Sequence, residues 1–343
     1  MAVRVAINGF GRIGRLFFRQ FFGAKGFDIV AVNDLGDIEN LAYLLKHDSV
    51  YRAYGKEVLV KKDSLIVSGT EVRFLSEKEP VKLPWKLLGV DIVVESTGFF
   101  ESFEAAAAHV TAGAKRVVIT APAKDADGTR GGSTVLIGIN ENRFKAAALT
   151  SNASCTTNAA APVIAILAEN PGIAKAMLST VHAYTATQSI VDGPAREKSK
   201  DFRRGRAGAE NIAPSTTGAA IAVTRAIPEL EGKFDGIAFR VPVVSGSLAD
   251  ITFLAKRKTS VEEINHILLR AAEEPRWKGI LKVTSEQLVS TDIIGEPYGA
   301  IVDLNFTKVI DGDLVKVLSW YDNEWGYVTT LVEHVKKISE SLK

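Results

Sequence analysis

The sequence is short of cysteine: Cys155 is the only one in 343 residues. A single thiol excludes an internal disulfide framework and any zinc site built from several cysteines. It fits a reducing compartment, and a cytoplasmic location is the expectation. An excess of charge of one sign is also missing. The 42 Lys and Arg residues nearly balance 40 Asp and Glu, for a net charge of +2, which gives no reason to expect a nucleic-acid or membrane-surface partner. No stretch approaches about 18 uninterrupted apolar residues, so no transmembrane helix is expected. The first residues lead straight into a short apolar strand without a basic segment and long apolar core, so no signal peptide is expected either. Internal repeats and low-complexity segments are absent. What remains is ordinary for a globular chain, with 46% hydrophobic and 24% charged residues. Its length suggests about two domains.

The N-terminal stretch carries the first motif. Val3-Arg4-Val5-Ala6-Ile7 reads as a buried strand and runs into Asn8-Gly9-Phe10-Gly11-Arg12-Ile13-Gly14. Gly9, Gly11 and Gly14 form G-x-G-x-x-G, and Leu16 to Phe22 reads as a helix. A second strand, Phe27 to Val32, ends at Asn33-Asp34, with Asp34 twenty residues after Gly14. Strand, glycines, helix, strand and acid in this order form a dinucleotide-binding unit. The glycines permit a tight turn and close approach to pyrophosphate, and the helix start favours its negative charge. A carboxylate at the second strand's end accepts hydrogen bonds from the adenosine ribose. Because it would repel a 2′-phosphate, NAD is favoured over NADP.

The chain then alternates short strands and helices: a helix over Glu39 to His47, strands at Val58 to Val60, Ser64 to Ser68, Val72 to Leu75 and Val90 to Glu95. A helix over Phe103 to Ala112 and strands at Arg116 to Thr120, Thr134 to Ile139 and Ala147 to Thr150 follow. Thr97 and Thr120, at strand ends, are candidate cofactor neighbours or plain turn residues. Ser151-Asn152-Ala153-Ser154-Cys155-Thr156-Thr157-Asn158 comes next, with the apolar helix Ala159 to Leu167 directly behind it. A lone cysteine is usually an inert core residue. Here it follows a nucleotide-binding sheet and opens a helix, where capping groups and the dipole lower a thiol's pKa.

The second half reads as strands with helices between them, hence an α+β domain with a mixed or mostly antiparallel sheet. Of five histidines, His47, His109, His266 and His334 read as structural or solvated. Only His182 ends a strand beside Thr185-Ala186-Thr187, where it can serve as base to a nucleophilic Cys155. A long polar segment, Asp192 to Glu210, holds Arg203-Arg204-Gly205-Arg206; loops of this length are usually functional or interfacial. Arg240 stands inside the apolar run Phe239 to Pro242 and needs a partner or an anion. A thiolate, a base and a dinucleotide together permit oxidation of an aldehyde through a thiohemiacetal to a thioester. Hydroxyls at Ser154, Thr156, Thr185, Thr187 and Thr217, with Arg206 and Arg240, are suited to phosphate groups. Resolution of the thioester by phosphate would give an acyl phosphate, and by water an acid.

These motifs resemble the phosphorylating glyceraldehyde-3-phosphate dehydrogenase family over nearly the whole chain. The resemblance rests on Ile7 to Arg15, Glu95-Ser96-Thr97-Gly98, Ser151 to Asn158, His182 to Gln188, Ser215 to Ala220, Phe239 to Pro242 and Ser319 to Tyr327. It implies a Rossmann-type NAD domain over 1–153, to which a helix at 324–343 returns, and an α+β catalytic and oligomerisation domain over 154–323. It implies Cys155 as nucleophile and His182 as base. It places Gly11, Arg12 and Ile13 at the pyrophosphate, Asp34 at the ribose, and Lys78, Thr97, Thr120 and Asn323 at other parts of the cofactor. Ser154, Thr156, Thr217 and Gly218 are implied at the inorganic phosphate, and Thr185 and Arg240 at the substrate's own phosphate, with Arg206 contributing. Glyceraldehyde 3-phosphate and phosphate are the implied substrates, and a homotetramer the implied assembly. Ala159 stands where many relatives have a second cysteine, Lys78 where arginine is frequent, and 195–199 looks inserted. Erythrose 4-phosphate is a rival substrate. An NAD-liganded protein contacting RNA through Arg203–Arg206 is a rival of another class.

Overall fold

Val3–Asn8 (β1) is buried from Val5 onward, as a strand covered on both faces must be. It is the centre of the first of two units into which the computed structural model divides. The structure describes residues 2–195 and 201–342. One unit comprises Met1–Ala153 and Leu331–Lys343, the other Ser154–Thr330.

In the first unit β1 leads through Gly9–Gly11 into α1 (Arg12–Phe21), then β2 (Phe27–Asn33) and α2 (Ile38–Lys46). Next come β3 (Val58–Val60), β4 (Ser64–Val67), β5 (Thr70–Leu75), β6 (Ile92–Glu95), α3 (Phe103–Thr111), β7 (Arg116–Ile119), β8 (Ser133–Thr134) and β9 (Leu149–Ser151). The sheet order is β3-β4-β5-β2-β1-β6-β7-β9-β8. Pairing is parallel except for β3 with β4 and β4 with β5. β1 lies between β2 and β6, so the strand order reverses beside it. In such a sheet a crevice forms at the carboxyl ends of the strands there. The core beneath includes Trp85, Val93, Phe103 and Val117.

The strand expected over Thr134 to Ile139 is only two residues long, Ser133–Thr134. Asn140 is the reason. Its Oδ1 accepts from Leu136 N (2.8 Å) and its Nδ2 donates to Thr134 O (2.9 Å). With Gly138 at φ +78°, this closes a turn on apolar residues that remain buried.

The second unit opens with α4 (Cys155–Glu169), buried from Thr156 through Leu167; a helix apolar all round belongs in a core. β10 (Ile173–Ala183), β11 (Ala213–Thr216), α5 (Ala219–Ala226), β12 (Phe234–Val241), β13 (Ser247–Ala255), α6 (Val261–Glu273), β14 (Leu281–Thr284), β15 (Ala300–Ile310) and β16 (Leu314–Tyr321) follow. α7 (Trp325–Glu340) crosses the division at Leu331. The sheet order is β11-β12-β10-β13-β16-β15-β14. β10 with β12 and β14 with β15 are parallel and the other pairs antiparallel, so the sheet is mixed. α4, the helix that carries the cysteine, packs on its central strands. Along β13 the burial alternates strictly, the mark of a sheet packed on one face. Met177 and Ile237 are about half exposed, at 54% and 46%. Of the inserted-looking stretch 195–199, all but Ala195 lies outside the described residues. Among the described residues no helix is long and apolar enough to cross a membrane.

Candidate active site

The glycine turn is built by contact. Gly9 has φ +94°, and a Cβ there would sit 2.5 Å from Thr97 N; a Cβ on Gly14 would sit 2.1 Å from Gly9 O. Gly11 is the N-cap of α1, no side chain caps the helix, and the space before Gly11 is open. A helix start without a capping side chain suits an anion. A cleft of about 440 Å³ lies over these residues. Gly9, Gly11, Asp34, Lys78 and Thr97 line it, as do Leu35, Phe99 and Phe100. The sequence reading passed over those three because exposed apolar residues are common and carry no motif.

Asp34 takes two backbone hydrogen bonds, from Phe10 N (2.6 Å) and Gly36 N (2.8 Å), which fix its carboxylate beside the glycine turn. Arg12 forms an ion pair with Asp48 and lies over the ring of Tyr51. Its side chain is therefore engaged, and neither Arg12 nor Ile13 is among the residues lining the cleft. Thr120 donates its N–H to Glu95 O at the end of β7 and is not among the residues lining the cleft. The turn, the acid and the uncapped helix fit a dinucleotide.

Under the cleft lies a buried carboxylate. Glu95 accepts from Asn8 Nδ2 (2.6 Å), Thr97 N (2.8 Å), Thr97 Oγ1 (2.5 Å) and His109 Nε2 (3.0 Å). Trp85 Nε1 donates to His109 Nδ1 (3.0 Å), so the imidazole proton must sit on Nε2, facing Glu95. His109, read as structural or solvated, is fully buried. It fixes the acid that orients Thr97.

In the second unit Ser154 caps α4, its Oγ accepting from Thr157 N (3.1 Å). Cys155 is the first helical residue, and Ala153 before it has φ +54°, a left-handed turn uncommon for alanine. Cys155 Sγ lies 3.3 Å from His182 Nε2; the two come from α4 and the end of β10. His182 Nδ1 is 2.7 Å from Ala183 O and 2.7 Å from Arg240 Nη1. Arg240 is the register partner of His182 on β12. Below the pair, the buried Tyr321 hydroxyl bonds to Thr156 Oγ1 (2.9 Å) and Thr180 Oγ1 (2.7 Å).

The electrostatics depart from the expected lowered thiol pKa. Burial pushes the Cys155 thiol up, opposed by the charge of Arg240 and by hydrogen bonds from Thr156. Burial, then the charge of Arg240, pushes His182 down to about 3. The helix start does favour a thiolate, but desolvation outweighs it. Both shifts favour the uncharged forms of the pair.

The phosphate candidates divide. Thr185 Oγ1 pairs with Thr187 Oγ1 (2.8 Å), Thr217 Oγ1 accepts from Ala219 N (3.1 Å) at the start of α5, and Gly218 has open space before it. The Thr156 hydroxyl is engaged by Tyr321. Arg206 is paired with Asp192 (2.7 Å) on the exposed surface, whereas Arg204 reaches inward to Ser215 Oγ (2.7 Å) and its charge bears on His182 and Arg240. Of the described loop arginines, Arg204 is thus the one whose charge reaches His182 and Arg240. Sequence alone had no means of choosing among three arginines in four residues.

Asn323 Oδ1 accepts from Ser247 Oγ (2.9 Å) and, more weakly, from Ser245 Oγ (3.4 Å). Ser247 Oγ itself accepts from Ala183 N (3.1 Å). This turns the Asn323 amide nitrogen away from the serines, ready to donate elsewhere. Neither serine carries a motif, so neither was singled out. Among the described residues no cluster of potential metal ligands occurs.

Comparison with known proteins agrees with this division of labour. Residues 3–103 match the glyceraldehyde 3-phosphate dehydrogenase NAD binding domain, and residues 154–323 match the C-terminal domain of the same family. The chain is 48% identical to a glyceraldehyde-3-phosphate dehydrogenase of Streptomyces coelicolor, over 97% of each chain. It is likewise 48% identical to that of Geobacillus stearothermophilus, over 97% of each. With that of Mycobacterium avium the identity is 46% over the full length of both. A glycine turn with its acid in one unit, a cysteine–histidine pair in the other, and relatives matched end to end establish that the chain belongs to the glyceraldehyde 3-phosphate dehydrogenase family.

Proposed function

We propose that the protein oxidises glyceraldehyde 3-phosphate and couples the oxidation to uptake of inorganic phosphate, giving 1,3-bisphosphoglycerate. The observation that carries this reading is the 3.3 Å approach of Cys155 Sγ to His182 Nε2 at the head of α4. Cys155 adds to the aldehyde carbon, and its proton passes to His182. His182 returns that proton to the new alkoxide, giving the thiohemiacetal, and then, neutral again, takes the hydroxyl proton as hydride leaves the carbon and the thioester forms. Bound NAD supplies the hydride acceptor. Phosphate attacks the thioester carbon and releases Cys155 with the acyl phosphate.

Asp34, the glycine turn, Lys78 and Thr97 hold the dinucleotide, and the Asn323 amide nitrogen donates to the nicotinamide carboxamide. Thr185 and Arg240 hold the substrate's phosphate. Ser154, Thr217 and Gly218 hold the attacking phosphate, with Arg204 as the loop contributor in place of Arg206. A homotetramer is supported by the sheet face bearing Met177 and Ile237, which no segment of the second unit's described residues covers; exposed apolar patches mark association surfaces. A cytoplasmic location accords with the single free thiol. The test is NADH formation from glyceraldehyde 3-phosphate with and without inorganic phosphate. Equal rates in its absence would refute the acyl-phosphate product.

A further inference from the structure

Three residues stand in one row across the first sheet, at the carboxyl ends of their strands. Asn8 on β1 is the register partner of both Asn33 on β2 and Glu95 on β6. All three are buried, and their side chains are bonded in line. Asn33 Nδ2 donates to Asn8 Oδ1 (2.7 Å), and Asn8 Nδ2 donates to Glu95 Oε2 (2.6 Å). At the other end Asn33 clamps the main chain of Glu77: its Oδ1 accepts from Glu77 N (2.8 Å) and its Nδ2 donates to Glu77 O (2.9 Å). Neither amide is free to turn over. A carboxylate only accepts, so Asn8 gives its nitrogen to Glu95 and keeps its oxygen for Asn33. Asn33 must then give its nitrogen to Asn8, which leaves its oxygen for the Glu77 N–H. The remaining partners of Glu95 are donors as well: Thr97 N and Oγ1 on one oxygen, and on the other His109 Nε2, whose proton is kept there by Trp85. Thr97 Oγ1 in turn accepts from Phe99 N (3.1 Å).

We propose that Glu95 is a positioning residue for the cofactor: one buried carboxylate directs every bond in the row and so sets Thr97, Phe99 and the Glu77–Lys78 segment against the glycine turn. Asn8, Asn33, Glu77, Thr97 and Phe99 line the cleft, whereas Glu95 does not. It acts through these neighbours and not by touching the dinucleotide. This role rests on the reading above in one respect, that the cleft holds NAD. Glu95→Gln keeps the side chain's size and removes its charge. The amide nitrogen then faces either the Thr97 N–H or the donors on Asn8 and His109, so a buried donor meets a donor whichever way it turns. The arrangement that receives NAD becomes a fraction of the population, and the apparent affinity falls by that fraction.

The experiment measures NAD dissociation constants by calorimetry on the full chain and its variants, each with native far-ultraviolet circular dichroism. Glu95→Gln is expected to raise the constant about tenfold. Coulomb's law alone predicts the opposite sign, because removing a negative charge beneath an anionic ligand tightens it. An unchanged or lower constant therefore overturns the proposal. Asn33→Asp is also expected to raise it about tenfold, since its second oxygen meets Asn8 Oδ1 and Glu77 O. Together the two changes carry the charge to the other end of the row. Asn8 can then turn over, giving its nitrogen to the carboxylate at 33 and its oxygen to the amide at 95, on the side where His109 Nε2 lies 3.4 Å away. The double variant is expected to bind about tenfold more weakly than wild type, not the roughly hundredfold of independent sites two strand spacings, about 10 Å, apart. A hundredfold loss overturns the directed row. If Glu95→Gln alone does not fold, the double variant is compared with Asn33→Asp: equal or tighter binding supports the row and weaker binding overturns it. Asp34→Ala separates the two ideas. If it weakens NAD binding and Glu95→Gln does not, the row falls and the cleft stands; if neither weakens it, both fall.

Discussion

His334 offers a prediction whose size follows from burial. It lies on α7 with no exposed surface, edge-on to Phe144 at 4.7 Å. Its Nδ1 is 3.1 Å from Asn152 Oδ1 and its Nε2 is 2.8 Å from Thr150 Oγ1. Burial alone pushes its pKa down from 6.5 to about 3. The unfolded chain therefore binds a proton near pH 6.5 that the folded chain refuses. Its contribution to stability is complete above the unfolded value and is lost as pH falls toward the folded one, at about 1.36 kcal/mol per pH unit. Relative to pH 8, roughly 2.7 kcal/mol is gone by about pH 4.5. His334→Gln keeps a donor and an acceptor but does not titrate. It should cost about 2 kcal/mol at pH 8, through the smaller side chain and the lost contact with Phe144. The wild type should lose this advantage on acidification, and the two curves should cross near pH 5, an order-of-magnitude expectation from the same linkage. Urea unfolding of both proteins across this range is the assay. Taking the difference cancels His182 and every carboxylate that titrates alike in both. A gap that stays constant with pH would refute the reasoning, because His334 would then take up its proton within the fold.

Three further outcomes follow from the site. Cys155→Ser should lower NADH formation by about three orders of magnitude or more, since a hydroxyl beside a neutral imidazole is a far weaker nucleophile; NAD binding, measured by calorimetry, should be unchanged. Asp34→Ala removes a carboxylate held by two backbone N–H groups. It should raise the NAD dissociation constant about 10- to 100-fold, the worth of charge-assisted hydrogen bonds to a ribose, while NADP binding changes less; an unaltered NAD/NADP ratio would contradict the ribose role. Ile237→Asp puts a charge on the uncovered sheet face and should shift sedimentation toward smaller species while leaving the far-ultraviolet circular dichroism intact.

Where the sequence was informative, it was so because the signal was local. The glycine turn, its helix and Asp34 lie within one short stretch, and the contacts that require glycine at 9 and 14 are between neighbours in that stretch or with the adjacent β6 end. The cysteine's place at a helix start was visible for the same reason. Pairing it with His182 needed β10 to lie beside the head of α4, and the burial that pushes the thiol up against the pull of the helix start cannot be read from residue order. The strand at Thr134 to Ile139 had the right apolar pattern, but the two hydrogen bonds of Asn140 bend it into a turn. β14 is four residues long and too short to stand out. Arg204, Ser245, Ser247 and Tyr321 act through contacts with distant strands, and single hydroxyls or clustered arginines carry no spacing that would reveal them.

The hydroxyl of Ser247 has a consequence larger than its size. It has one hydrogen to give, and the Ala183 N–H already occupies a lone pair, so the hydrogen goes to Asn323 Oδ1. A main-chain group on β10 thereby settles, through one intervening oxygen, which end of an amide on another segment faces the serines. Asn323 is left with its Oδ1 turned to the serines and its Nδ2 turned away from them. Under the role proposed for Asn323 toward the nicotinamide carboxamide, the choice between two nearly isosteric ends of that amide is decided by the polarity of one backbone bond.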